Sequence, residues 1–123
     1  MANRNFNRRQ ALEKEVKDIY ATIAIGATGA PTLTTGVGIA SVSRTSQGLF
    51  RITLDDKFIS LKSVKVIHEV STAEDLTFQV KAEDVAGSTK SVDILSLTSG
   101  VATDPSDGAI LHVKIELKNS SAI

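Results

Sequence analysis

A chain of 123 residues with 14 lysines plus arginines, 14 aspartates plus glutamates and no cysteine has room for one core, and it lacks the cationic surplus with which dedicated nucleic-acid binders neutralise phosphates. The missing thiol excludes disulfides, thiolate metal sites and cysteine nucleophiles. No apolar run approaches the ~20 residues of a spanning helix, and the opening Asn3-Arg4-Asn5-Phe6-Asn7-Arg8-Arg9 is unlike a secretory leader, so we expect a soluble, unprocessed protein with neither nucleic acid nor membrane as a partner.

Valine and isoleucine together number 22 against 10 leucines, and serine plus threonine add 25, a mixture that favours pleated, half-buried surfaces. The first periodic stretch runs from Asn7 to about Lys17. Asn7 as N-cap, Gln10 three residues on, and Leu12, Val16 and Ile19 along one face predict a short helix. It yields to a strand over Tyr20 to Ile25, with Ile23 and Ile25 on one side. Residues 26–38, with four glycines, Pro31 and several threonines, are expected to form a loop.

From Ile39 the pattern becomes strand after turn. Ile39 to Thr45, the Ser46-Gln47-Gly48 turn and Leu49 to Leu54 predict a hairpin. A longer strand follows with Val64, Val66, His68 and Val70 on one face and Lys65, Ile67 and Glu69 on the other. Leu76 to Lys81 and Ser91 to Thr98 give two more strands, and Ser99 to Ala109 is expected to be a polar loop. In the last strand, Ile110 to Lys118, Leu111, Val113, Ile115 and Leu117 alternate with His112, Lys114, Glu116 and Lys118. About seven short strands predict a mainly β fold, an antiparallel β-sandwich or small barrel, with a short N-terminal helix and basic arm. The expected organisation is an arm and helix over 1–25, a Gly/Thr-rich loop over 26–38 and a β-sandwich body over 39–123.

Candidate chemistry is sparse. His68 shares a face with valines and is expected to be a core or sheet-edge histidine; His112 alternates with Lys114 and Glu116 and belongs on the surface. The chain contains no HExxH, GxSxG or GxxxxGK[ST] motif, and Gly36-Val37-Gly38 is only a fragment of a dinucleotide fingerprint. Asp104 and Asp107 supply too few oxygens for calcium, and with Pro105 and Gly108 they suit a turn. Asp55-Asp56 reads as a solvated turn, and Glu74-Asp75 and Glu83-Asp84 as solvated flanks of a strand. We therefore expect no catalytic residues, no metal and no cofactor. Charge, however, is uneven: residues 1–17 carry five positive and two negative side chains, leaving nine positive and twelve negative beyond them. A cationic arm on an acidic body suggests docking.

Three stretches resemble small structural proteins of tailed bacteriophages in order and spacing: the segment entering Ile23-Ala24-Ile25-Gly26-Ala27-Thr28-Gly29-Ala30, the run from Gly38 through Ser46-Gln47-Gly48 to Phe58, and Asp104-Pro105-Ser106-Asp107-Gly108 ahead of the strand ending Leu117-Lys118-Asn119-Ser120-Ser121. The resemblance covers nearly the whole chain. It implies a virion protein of the capsid decoration or cement type, not an enzyme, located on the capsid surface, with the major capsid protein as partner and a homotrimer as the common assembly. A head-fibre, tail-associated or receptor- or glycan-binding virion protein is the alternative. With the cationic arm and helix as the anchor, Arg4, Phe6, Arg8, Arg9, Leu12 and Val16 are the expected protein-binding residues.

Overall fold

A computed structural model describes residues 16–118. Within them the backbone forms nine strands: β1 (Val16–Ile25), β2 (Pro31–Gly36), β3 (Ile39–Ser46), β4 (Leu49–Leu54), β5 (Ser60–Glu69), β6 (Thr77–Glu83), β7 (Ser91–Thr98), β8 (Val101–Ala102) and β9 (Ile110–Lys118). They make two antiparallel sheets. The first has the order β2-β1-β9-β5; the second runs β3-β4-β7-β6, with the short β8 pairing β7. Both sheets are open, so the expected β-sandwich alternative describes the molecule and the small barrel does not.

Period-two alternation explains the core. In β9, Leu111, Val113, Ile115 and Leu117 are all buried, and β1 contributes Ile19, Ala21, Ile23 and Ile25 from the neighbouring strand. Register lines these up: Ile19 faces Ile115, which faces Val64 of β5, and Ile23 faces Leu111, which faces His68. The opposing sheet offers Phe50, Ile52 and Leu54 from β4 and Val92 and Ile94 from β7 to the same cluster. Sheets packed this way bury the inner face of each and leave the outer faces wet.

Among the described residues no N-terminal helix is observed. Residues 7–15 of the expected helix lie outside the described residues, and Val16 and Lys17 open β1, opposite Lys118 and Leu117 of β9. A spacing of four and then three between Leu12, Val16 and Ile19 mimics a helical face, but from Val16 onward pairing with β9 prevails over that local signal. Residues 16–25 are thus part of the sandwich, with β1 flanked by β2 and β9. The expected loop over 26–38 also contains a strand. Pro31 can start β2 because this is an edge strand, paired only with β1 from Ile25↔Pro31 to Ala21↔Gly36, and Thr32, Thr34 and Thr35 supply β-branched residues. A short 3₁₀ turn, Ala27–Gly29, joins the two strands.

Val37 and Gly38 carry the chain from the first sheet to the second. Gly38 has φ +87, and a Cβ there would stand 3.2 Å from Ile19 Cδ1, so this crossing suits glycine. The β3–β4 hairpin turns where the sequence predicts, with Gly48 at φ +73.

Candidate protein-binding surface

Arg4, Phe6, Arg8, Arg9 and Leu12 lie outside the described residues. Val16, the last of the expected contact residues, is a half-buried strand residue at the end of the first sheet. Its position defines where the cationic segment joins the body. Val16 pairs with Lys118, which also pairs with Ser60, so both ends of the described chain meet at one end of the sheet's two central strands.

The outer face of the first sheet runs from that end. Register places Tyr20, Lys114 and Lys65 in one row and Thr22, His112 and Ile67 in the next. Tyr20 is 60% exposed and Ile67 68%, unusual for large apolar side chains on a strand and characteristic of contact surfaces when grouped. Lys114 Nζ sits 5.8 Å from the Tyr20 ring centroid, a cation–π arrangement, and 3.7 Å from Asp18. Beside it Ser63 donates a 2.8 Å hydrogen bond to Glu116. That bond, with Lys114 and Lys65 nearby, holds the Glu116 carboxyl below its ordinary range. Lys65 lies 3.6 Å from Glu116, and His112 Nε2 is 2.6 Å from Glu69. The charged groups are thereby largely paired within the face, leaving Tyr20 and Ile67 as its apolar points. Around the corner Val37, 88% exposed, lines a shallow depression of about 290 Å³ with Lys17, Asp18 and Tyr20.

Tyr20 was not among the residues expected to bind. The signal for its partner was present, since Ile67 alternates with Lys65 and Glu69 on a polar face. A comparable signal exists for Tyr20, because a strand with Ile23 and Ile25 on its inner side places position 20 on the outer one.

The remaining candidates have structural roles. His68 lies on the inner side of edge strand β5, 11% exposed, in edge-on contact with Phe78 at 6.1 Å. Glu74 Oε1 is 2.9 Å from its Nε2, but that nitrogen is buried and the contact is not aligned as a hydrogen bond. Asp104 accepts hydrogen bonds from Arg44 Nε at 3.1 Å and Nη2 at 2.8 Å, and from the Gly48 amide at 2.7 Å. The Arg44 bonds, reinforced by the Gly48 amide, hold its carboxyl below the ordinary carboxylate range. Asp104 is therefore engaged as a clasp between its loop and the β3–β4 turn. Arg51 and Asp93 form a second bidentate pair across β4 and β7, at 2.9 and 3.2 Å. Asp55, Asp56, Asp107 and His112 are exposed. Among the described residues no three histidine or carboxylate side chains converge as metal ligands, and no helix is long and apolar enough to cross a membrane.

No family model, curated protein or solved structure matches the chain.

Proposed function

We propose that this chain is a structural protein of a tailed-bacteriophage virion that binds the outer capsid surface and stabilises the shell. The observation that carries the proposal is the junction at Val16: a cationic segment, with Arg4, Arg8, Arg9 and Lys14 against Glu13 and Glu15, runs directly into β1, whose outer face carries the exposed Tyr20. In this reading residues 1–15 grip the major capsid protein through Arg4, Phe6, Arg8, Arg9 and Leu12. Val16 is the hinge point, and the sandwich projects as a rigid body. Many copies on one shell, as homotrimers around local axes, let modest contacts add through multivalency. The resemblance of the Gly38–Phe58 and Asp104–Gly108 stretches to phage structural proteins supports the same assignment, and the protein acts without catalysis or cofactor.

Cosedimentation with phage shells tests it. The full chain pellets with shells, and a chain starting at Val16 stays in the supernatant while keeping its β-type circular dichroism. Binding retained by the truncated chain overturns the anchor role of residues 1–15. Truncation must stop before Val16, because Val16 and Lys17 are paired in β1. A tail-associated or receptor-binding role is the second reading, favoured by the exposed Tyr20 and Ile67 pair, and it predicts binding to cell-surface glycans by the body alone.

A further inference from the structure

One side of the sandwich is open. β5 ends the first sheet and β6 ends the second, so among the described residues neither edge has a partner strand on that side. Between them lies a groove of about 350 Å³ lined by Val64 and Val66 of β5, Ile94 of β7 and the consecutive residues Leu76 to Val80. The lining is asymmetric. β5 contributes only alternate, inward side chains, whereas Leu76 and the first four residues of β6, Thr77 to Val80, border the groove in succession, so the backbone edge of β6 is itself a wall. Those five residues span about 16 Å at ~3.3 Å each, and the register irregularity between Val80 and Ala82 ends the straight edge just beyond. A bulge of this kind protects an edge by twisting it away; the five residues ahead of it have no such protection. Phe78, backed by the edge-on ring of His68, supplies an aromatic side chain to the lining.

The electrostatics favour one kind of occupant. Glu74-Asp75 immediately precede the groove-lining strand and Glu83-Asp84 close it, so carboxylate pairs stand at both ends of β6. Over residues 60–84, five acidic side chains face three lysines, and Lys65 is turned to Glu116 on the outer sheet face.

We propose that this groove receives an extended, cationic segment of a partner protein, which adds as a strand along β6 with alternate apolar side chains over Val66 and Phe78 and basic residues at both ends. Main-chain bonds to the edge give affinity, and the apolar floor with its acidic ends gives selectivity. The proposal goes beyond shell binding and does not depend on it.

The test uses the full chain and the capped peptide Lys-Thr-Val-Thr-Val-Thr-Lys in calorimetric titration with amide-shift mapping. The cationic peptide binds and perturbs amides of residues 76–80, and binding weakens at least about tenfold when its lysines become glutamates or its valines become serines. Val80→Lys, at a site already 39% exposed, and Asp75→Lys, on an exposed loop, each weaken it at least about tenfold with melting temperature unchanged. Equal binding of all three peptides, or none, overturns the proposal. So does binding that appears only after residues 1–15 are removed, which assigns the groove to the chain's own leader, or a dimer abolished by Val80→Lys, which assigns it to a second copy.

Discussion

Gly48 and Gly100 both adopt left-handed backbone, at φ +73 and +81, but their surroundings differ. A Cβ on Gly48 would lie 2.7 Å from the Ser96 carbonyl oxygen, 2.7 Å from the Thr103 amide nitrogen and 3.1 Å from the Ala102 carbonyl carbon, whereas a Cβ on Gly100 meets nothing within 4 Å. Gly100→Ala therefore incurs only the left-handed penalty, about 1–2 kcal/mol. Gly48→Ala incurs the same penalty plus about 1–3 kcal/mol for forcing atoms into occupied space. The obstacle is backbone that cannot rotate away, and it belongs to a ladder: Ser96 donates to the Gly48 carbonyl at 2.7 Å and Thr103 donates to the Ser96 carbonyl at 2.9 Å. Displacement of Gly48 also disturbs its amide bond to Asp104. Urea denaturation of the two variants at pH 7 measures the difference, expected as a midpoint loss for Gly48→Ala about twice that for Gly100→Ala with unchanged slope. Equal losses would refute the close approach of the β3–β4 turn to the β7–β8 junction.

Ile115→Ala removes a side chain with no exposure between the sheets and is expected to cost about 2–5 kcal/mol in the same assay, while Ile67→Ala on the outer face changes stability by less than about 0.5 kcal/mol. Because Arg44 and the Gly48 amide hold Asp104 below its ordinary pKa of 3.8, its ionised form favours the folded state above that value, and this stabilisation disappears as pH falls through the lower folded pKa. The stability gap between the natural chain and Asp104→Asn is thus constant between pH 5 and pH 7 and closes on acidification below about pH 4, as read from denaturation midpoints across pH. Removing residues 1–15 leaves a cooperative unfolding transition, whereas removing residues 1–19 deletes Ile19 and four β1–β9 register positions and abolishes or severely weakens it, as measured by thermal melting.

Legibility in the sequence followed the number of buried faces. β9 is unmistakable because its inner residues all enter the core while His112, Lys114 and Glu116 face outward, and the β3–β4 hairpin is legible because Gly48 is required at its turn. β2 escaped notice since an edge strand of threonines, opened by Pro31 and closed by Gly36, buries too little to show alternation and reads as a run of breakers. The start of β1 was obscured by the helix-like spacing of Val16 and Ile19, and the pairing that decides the matter comes from residues 115–118, about a hundred positions away. Tyr20 stood at the expected helix-to-strand boundary, although Ile23 and Ile25 on the inner side already set it outward. The Asp104 clasp is non-local in the same sense. A turn was legible from Asp104-Pro105-Ser106-Asp107-Gly108, but its Arg44 partner sits 60 residues earlier.

Electron cryomicroscopy of intact particles carrying the protein decides whether the cationic segment ahead of Val16 ties the sandwich to a capsid, as we propose: sandwich-sized density is expected on the outer shell with the Val16 end directed at the coat protein, and density confined to the tail, or a body seated with the Val16 end facing solvent, would contradict the proposal.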